Sequence, residues 1–573
     1  MKKKYKVLGI NYGHDSSASL GIDGEIIAAC EQERYDLKKH SRNFPIDAIN
    51  DCLKIGKIKI NNLDEIALSM DFDDLVKKNY IEPALKNKER LKFLINDIER
   101  VKLYVNFENF VRSKLKFKGK IISYRHHLCH LASAYYPSGF DRALLFSNDG
   151  SGEYENGMLG IGQKGKIYQK ETIGEFADSL GHIYAAITFF LGWRHHCDEG
   201  IIMGLASYGK PHEKIKGQKN KTYIQIFRNI IKSKEKLSYE INKDWIAYHI
   251  KRDTWISDKF KKVFGKVRKP TQKLNQHHKN IAAALQLRLE EIVLEKLRFA
   301  KRKYNIKRLC IAGGVGLNCS LNGKILKSKI FNEIFVQPAS GDSGVALGAV
   351  YAAMAKQKKK LPVKKRYNHF LGSRFSDSNY KTFIKKNNIR YKKVKNIHNE
   401  TAKILSKGKI VGWFQGAAEF GPRALGNRSI LCRPYPSKMK DHLNKRVKFR
   451  EIFRPFAPAV LKEETKNYFD ISQDSPHMLI ACKVNKKNKN KIPAVVHIDD
   501  TCRVQTVDKD TNTNFYNLLK SFKKITGIPV LLNTSFNIKG QPIVNNPDQT
   551  IKTFKNTNID VLVIGNYILE KGL

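Results

Sequence analysis

The chain has 573 residues, too long for one ordinary core, and its length predicts roughly two to four domains. An apolar content of 41% with 10% aromatic residues excludes a disordered chain. The formal net charge of +51 is spread over lysines in nearly every expected loop, which excludes one concentrated nucleic-acid footprint and leaves anionic small molecules as favoured partners.

Nine cysteines stand singly, with no CxxC pair, and no run reaches the roughly 18 apolar residues of a membrane span. The opening MKKKYKVLGINYG turns polar after a few apolar residues and reads as a first strand rather than a secretory leader. These features predict a protein of the reducing cytoplasm.

Residues 5 to 34 predict strand (YKVLGI), polar turn (NYGHDSS), strand (ASLGI), tight turn (Asp23-Gly24) and strand (EIIAACEQER). The first turn carries Gly13, His14, Asp15 and Ser16, where small residues let backbone amides approach an anion. Residues 45 to 118 alternate apolar and basic positions at helical spacing and predict packing helices.

The stretch SYRHHLCHLASAYY, Ser123 to Tyr136, predicts a helix. On it His126 and His130 leave one face roughly 5 to 6 Å apart at Cβ, which suits two ligands of one ion. An isolated HxxxH is as readily a packed core pair. Here, however, carboxylates in glycine turns lie on either side, Asp149 (SNDGSG) and Asp342 (ASGDSG), and a third ligand from such a turn would complete an open catalytic site. The mixed nitrogen and oxygen set suits iron(II), zinc or manganese.

The strand grammar returns at residues 142 to 172: RALLFS, the turn NDGSGE, GMLGIG, a turn over 163–166, and IYQKETI. Two copies of a hairpin-plus-strand unit predict two facing lobes with a phosphate between their loops. Ser179 to Gly209 then holds a buried helix, whose His182 reads as structural, and DEGIIMGLASYG, which reads as a cleft lining with Asp198 and Glu199 offered to an acceptor. The Lys-rich region 212–275, with Trp245 and Trp255, carries no chemical signal.

A long amphipathic helix (NIAAALQLRLEEIVLEKLRFAKRKY) and a strand (RLCIAGG) place Gly313, Gly314 and Asn318 at a strand-to-helix junction suited to phosphate or the polar edge of a base. After the strand EIFVQ, PASGDSGVALGAVYAA sets Asp342 before a small-residue helix. These repeated tips are the pattern of a two-lobed sugar kinase/actin-type (ribonuclease H-like) α/β domain, with the histidine pair as an addition.

The basic run MAKQKKKLPVKKR, with Pro362, marks a boundary near residue 360 and predicts domains 1–358 and 367–573. Beyond it lie GAAEFGPRALGNRSILCRPYPS and HLNKRVKFREIFRPFAPAVL. Six arginines fall between Arg423 and Arg454 in a chain that otherwise prefers lysine, which points to forked recognition of phosphate or carboxylate. Arg433 and Arg446 read instead as structural salt bridges. Arg503 on the strand in HIDDTCRVQT and Asn533 in TGIPVLLNTSFN extend the set. Convergence of Arg423, Arg428, Arg454, Arg503 and Asn533 would hold a triphosphate and a further phosphate.

Taken together, WFQG, EFGPRALGNRSIL, REIFRPFAPAVL, TGIPVLLNTSFN, NYGHDSS and HHLCHLASAYY make the chain resemble the O-carbamoyltransferases, the group that includes tobramycin, cephamycin and nodulation-factor carbamoyltransferases. The resemblance implies a YrdC-like α/β carboxy-terminal domain that forms carbamoyl-adenylate from carbamoyl phosphate and ATP with Mg2+. It also implies an amino-terminal domain that moves the carbamoyl group to a hydroxyl of a small-molecule or glycan acceptor. By the same resemblance His14 is the general base, and His126, His130 and Asp342 are ligands of iron(II) or another divalent cation. Asp149 is similar to the acidic tip near the nucleotide phosphates, and Lys39 to a contact of the adenylate. Arg423, Arg454, Arg503 and Asn533 resemble ligands of ATP and carbamoyl phosphate. Gly313, Gly314 and Asn318 stand as further nucleotide contacts, and Asp15, Asp198, Glu199 and Arg428 as substrate contacts.

Three positions depart from the family pattern: Ala417 in place of arginine, Ile201 where lysine is usual, and Asp500 in place of glycine. Two other readings stay open on the sequence, a threonylcarbamoyl-type tRNA-modifying enzyme and a non-catalytic nucleotide-binding protein. No membrane partner is expected, nucleic acid is disfavoured, and a homodimer is compatible with all of these readings.

Overall fold

A computed structural model describes residues 4–218, 220–363 and 368–571. Residues 364–366 of the expected basic linker and residue 367, the expected start of the second domain, lie outside the described residues. The chain divides into two compact units, one made of Met1–Ile27 with Gly56–Tyr367, the other of Ala28–Ile55 with Asn368–Leu573. The units are therefore not two successive stretches of sequence.

The first unit holds two five-stranded sheets of the same plan. One contains β1 (Lys6–Asn11), β2 (Ser17–Ile22), β3 (Glu25–Glu31), β4 (Glu65–Leu68) and β5 (Lys120–Ser123) in the order β3-β2-β1-β4-β5; β3 begins in this unit and runs on into the other. The second contains β6 (Arg142–Asn148), β7 (Glu155–Gln163) and β8 (Lys166–Glu175). A small pair, β9 (Ile231–Ser233) and β10 (Tyr239–Ile241), stands apart, and β11 (Arg308–Ala312) and β12 (Glu333–Val336) complete the second sheet in the order β12-β11-β6-β7-β8. In each sheet the first strand pairs antiparallel with the second and parallel with the fourth. This duplicated order is that of the sugar kinase/actin-type, ribonuclease H-like domain.

Burial explains which strands are which. β1 and β6, central in their sheets, are buried along nearly their whole length and read as continuous apolar runs. β8, at an edge, alternates exposed Lys and Glu with apolar residues, a composition that discourages further strand pairing. Parallel strands β1, β6, β11 and β12 end at the glycine turns singled out above, so the turns collect at the carboxyl ends of strands, where α/β sheets bind ligands.

Two helices fix the site. His126–Tyr135 and Ser343–Lys358 cross so closely that a Cβ on Gly348 would overlap the Cys129 carbonyl, and one on Gly9 would overlap the carbonyl of Ala346. Glycine at those positions lets the helix Ser343–Lys358 lie against both the histidine helix and β1.

The second unit is α/β and is built on one mixed eight-stranded sheet. Its strands are β13 (Tyr391–Lys393), β14 (Val411–Phe414), β15 (Arg428–Cys432), β16 (Ala457–Leu461), β20 (Gln505–Val507), β21 (Val530–Ser535), β22 (Val561–Ile564) and β23 (Tyr567–Glu570), in the order β13-β23-β22-β14-β15-β21-β16-β20. The helices Ile397–Ser406 and Thr513–Thr526 bury Leu405, Phe515 and Leu519 against Trp413, Leu431 and Leu531 of the sheet. A small antiparallel sheet of β17 (Phe469–Asp470), β18 (Ala481–Val484) and β19 (Thr501–Arg503) carries Arg503.

Candidate active site

His126 and His130 occupy one face of their helix as the spacing predicts, and both rings are buried. Their Nε2 atoms lie 3.1 Å apart with the rings edge to face. Two nitrogens bound to one ion at roughly 2.1 Å would stand about 3 to 3.4 Å apart, so the pair is spaced for a shared cation. Asp342 Oδ1 is 3.7 Å from His126 Nε2 and 3.8 Å from His130 Nε2. Asp149 Oδ2 is 2.9 Å from His130 Nε2. Ligand atoms of all four residues fall within 4.8 Å of one another, a donor set that fits a divalent cation. The imidazoles are at most 1% exposed, whereas the Asp342 and Asp149 side chains keep 21% and 13% of their surface.

The electrostatics follow from this packing. Burial, with the neighbouring imidazoles, pushes His126 well below the ordinary histidine range and favours the neutral, ligating form. Burial alone would raise the Asp149 carboxyl, but the hydrogen bond and charge of His130, with His126 behind, pull it below the ordinary range. At the start of the helix, Glu153 accepts the backbone N–H of His126 at 2.8 Å and of Asp71 at 3.0 Å. Burial still pushes its carboxyl up to about 7. The intervening His127 is a brace: Nε2 lies 3.2 Å from the Glu155 carbonyl and Nδ1 3.0 Å from Ser147 Oγ, and burial lowers it to about 3.

Around this cluster stand the other turns. His14 and Asp15 sit at the β1–β2 tip, with His14 Nε2 3.7 Å from Asp15 Oδ2. A Cβ on Gly341 would lie 3.9 Å from Asp15 Oδ2, which places that tip beside Asp342. Gly313 has φ 88°, and a Cβ there would overlap the Asn148 carbonyl, while one on Gly314 would meet Asp149 Oδ1 at 2.8 Å. The GGVGLN loop can therefore lie against the Asp149 turn only with glycines. Asn318 is occupied within the fold: its Oδ1 caps Leu321 N–H at 3.0 Å and its amide pairs with Gln286. DEGIIMGLASYG forms a helix over Glu199–Ala206, with Ile201, Ile202, Gly204 and Leu205 buried. Asp198 and Glu199 brace the turn before it, accepting the N–H groups of Arg194 at 3.2 Å and His196 at 2.5 Å. His182 is buried, with Nδ1 3.4 Å from the Phe176 carbonyl.

In the second unit the Glu419 carboxylate gathers three backbone N–H groups, of Leu425, Asn427 and Arg428, at 2.8 to 3.0 Å and so shapes the GPRALGN loop that carries Arg423. Asn533 lies beneath that loop, donating to the Ala424 carbonyl at 3.2 Å and to Gln505 Oε1 at 2.8 Å. Burial, reinforced by the charges of Arg454, Arg503 and Arg423, holds Arg450 well below the usual arginine range. Lys448 is likewise lowered by burial and by Arg450, Arg454 and Lys39. These cations stand close enough to one another for each to disfavour its neighbours' charge. Such crowding is costly without an anion to compensate it.

The amino-terminal model of a known family, Carbamoyltransferase N-terminus, matches residues 6–351, and Carbamoyltransferase C-terminus matches residues 402–571. The chain belongs to the carbamoyltransferase family. It is 34% identical to an uncharacterized protein of Synechocystis sp. over 99% of this chain and 96% of that one. It is also 34% identical to the nodulation protein NolNO of Sinorhizobium fredii over 97% of this chain and 79% of that protein. Among solved structures, component A of (R)-2-hydroxyglutaryl-CoA dehydratase from Acidaminococcus fermentans aligns with 62% of this chain and 99% of its own at 15% identity, with a TM-score of 0.31. The fold assignment rests on the strand order and not on that likeness. No helix among the described residues is long and apolar enough to cross a membrane.

Within this carbamoyltransferase the expectations for Arg428 and Arg433 change. Arg428 is fully buried, not a substrate contact: its guanidinium donates to the carbonyls of Gln415, Asn427, Ser373, Gly416 and Asn545 and stacks on Phe414 at 3.7 Å. Asp149 stands with His126, His130 and Asp342 in the group that could hold one metal ion. Arg446 pairs with Asp560 at 3.1 Å, and Arg433 bonds the Ser406 carbonyl in place of a carboxylate. Lys448 and Arg450 belong with the basic cluster, although only the local excess of arginine hinted at it. The departures are also placed. Ala417 packs in an apolar cluster with Phe370, Leu425, Ala457 and Met478, and Ile201 is buried on its helix. Asp500 takes φ 62°, a left-handed turn position where glycine is the easier residue.

Proposed function

We propose that the protein is an ATP-dependent O-carbamoyltransferase whose second unit makes carbamoyl-adenylate and whose first unit transfers the carbamoyl group to an acceptor hydroxyl. The observation that carries this reading is the convergence of His126, His130, Asp149 and Asp342 at the carboxyl ends of the first unit's strands, in a chain matched to the family along both units.

Arg423, Arg450, Arg454 and Arg503 hold carbamoyl phosphate and the ATP phosphates, with Lys39 and Asn533 as further contacts. The net balance is carbamoyl phosphate, ATP and water to carbamoyl-adenylate, pyrophosphate and phosphate. In the first unit the acceptor oxygen attacks the carbamoyl carbon, the carbon–oxygen bond to the phosphate breaks, and AMP leaves. His14 takes the hydroxyl proton on a ring nitrogen as general base. His126, His130, Asp149 and Asp342 would hold iron(II) or another divalent cation, which supplies a Lewis acid for a carbonyl or phosphate oxygen when bound. Gly313 and Gly314 let their loop close onto the Asp149 turn, and the backbone there would meet the adenylate.

The reading is tested by following pyrophosphate release and acceptor carbamoylation separately. His14→Ala is expected to keep pyrophosphate release from ATP and carbamoyl phosphate within about threefold, while transfer falls by about 10² or more. Equal loss of both steps would overturn the division of labour.

A further inference from the structure

Outside the metal ligands, the first unit carries a row of imidazoles that both starts and ends at the metal cluster. His182 Nδ1 faces a carbonyl, which can only accept, so Nδ1 carries the proton and Nε2 presents its lone pair. That Nε2 would stand 3.2 Å from a Cβ on Gly150, next to the ligand Asp149. The His196 ring lies 5.5 Å from His182 and 6.0 Å from His14. Asp15, beside His14, then meets Gly341, next to the ligand Asp342.

Trp255 packs against this row, 5.1 Å from the His196 ring, 4.2 Å from His195 and 5.9 Å from Tyr248. His14, His195, His196 and Trp255 are all partly exposed. His196 is held at φ 55°, a conformation that costs a non-glycine residue about 1 to 2 kcal/mol, and Glu199 secures it through the backbone N–H. The wall differs in kind from the arginine cluster. Its side chains are an indole face and imidazoles, able to stack on C–H groups and to exchange hydrogen bonds with hydroxyls. Burial lowers His182 to about 4, so that ring adds no charge near neutrality.

We propose that Trp255 and His196 are acceptor-specificity residues: a saturated, polyhydroxylated ring lays its C–H face on the Trp255 indole, gives one hydroxyl to His196, and so brings another to His14 beside the metal ligands. This rests on reading the first unit as the transfer site. Glu199 is a positioning residue that acts through His196.

Saturation-transfer NMR on the full-length protein, without ATP or carbamoyl phosphate, tests it. The probes are the methyl pyranosides of glucose, galactose, mannose, fucose and N-acetylglucosamine, with glycerol as a hydroxylated molecule lacking a ring. At least one pyranoside is expected to receive saturation at its ring C–H protons, and glycerol none. Trp255→Ala should abolish the signal, Trp255→Phe should keep a weaker one, and His196→Ala should weaken binding about tenfold or more. Melting temperatures within a few degrees of wild type show that the variants fold, and the milder Trp255→Phe keeps the test decisive should Trp255→Ala not. Absence of pyranoside binding to the wild type, or unchanged binding by the folded Trp255 variants, overturns the inference. Binding through Trp255 in a protein that transfers no carbamoyl group would instead sink the proposed function and with it the acceptor role, while the pyranoside contact itself would stand.

Discussion

Asp149 shows how one carboxylate can be read two ways. A glycine-flanked aspartate after a strand suits either a phosphate site or a metal site, and the approach of His130 within 2.9 Å sets this one among the candidate metal ligands. Asp149→Asn keeps the size of the side chain but removes the charge, so bound divalent metal retained after dialysis, measured by elemental analysis, is expected to fall at least tenfold in affinity. Metal retention equal to wild type would confine the ligand set to the other three residues. Glu153 supplies a second residue-level test through pH. Its carboxyl is raised from 4.5 to about 7 in the folded protein by burial, so the stability tied to its protonated form is fully present below pH 4.5 and is lost as pH rises through about 7. The shift is of the order of 3 kcal/mol. Glu153→Gln stays neutral throughout, and its melting temperature should fall less than that of the wild type between pH 5 and 8. Parallel pH profiles for the two proteins would refute the assignment.

Helical spacing and strand-turn grammar made much of the first unit legible, because both report local geometry: the HxxxH pair, the repeated hairpin and the tips bearing His14, Asp149 and Asp342 all lie where periodicity puts them. What could not be read was contact between distant elements. Arg423 and Arg428 sit in one motif, yet Arg428 opens β15, which is buried between β14 and β21, while Arg423 stays in the preceding loop. Trp255 belongs to a segment without chemical pattern, and only the tertiary fold carries it to His196. The crossing of the helices His126–Tyr135 and Ser343–Lys358 is a contact of the same long-range kind, and it sets the distance from the imidazoles to Asp342. Gly348→Ala adds a methyl group where the Cys129 carbonyl already lies, so the helices must separate. We expect a loss of about 1 to 3 kcal/mol in denaturant unfolding together with weaker metal binding. Loss of stability with metal affinity intact would show that the crossing does not position Asp342.

At the scale of the whole molecule, the expectation of two α/β halves came from a change in composition near residue 360, and composition cannot reveal that an early segment folds with a late one. Ala28–Ile55 belongs to the second unit, and its contacts there are internal ones. Arg34 is 3% exposed, pairs with Glu31 at 2.7 Å and donates to the Gly421 carbonyl at 2.7 Å; burial opposes its charge, but Glu31 and Glu419 hold it protonated. The Gln549 amide donates to the Arg34 carbonyl at 3.0 Å, Ser373 bonds Asp51, and Ala29 N–H reaches the Leu371 carbonyl at 3.1 Å. Removing the segment would leave Glu419, which shapes the Arg423 loop, without the countercharge of Arg34. Breaking a buried pair costs roughly 3 to 5 kcal/mol. A domain's whole stability is only about 5 to 15 kcal/mol. A fragment of residues 368–573 is therefore expected to lack a cooperative thermal transition, and the same fragment with residues 28–55 joined ahead of it through a flexible Gly/Ser linker should regain one. A fragment that melts cooperatively without residues 28–55, at the temperature of the joined form, would show that the late sequence folds unaided and that the early segment adds nothing to its stability.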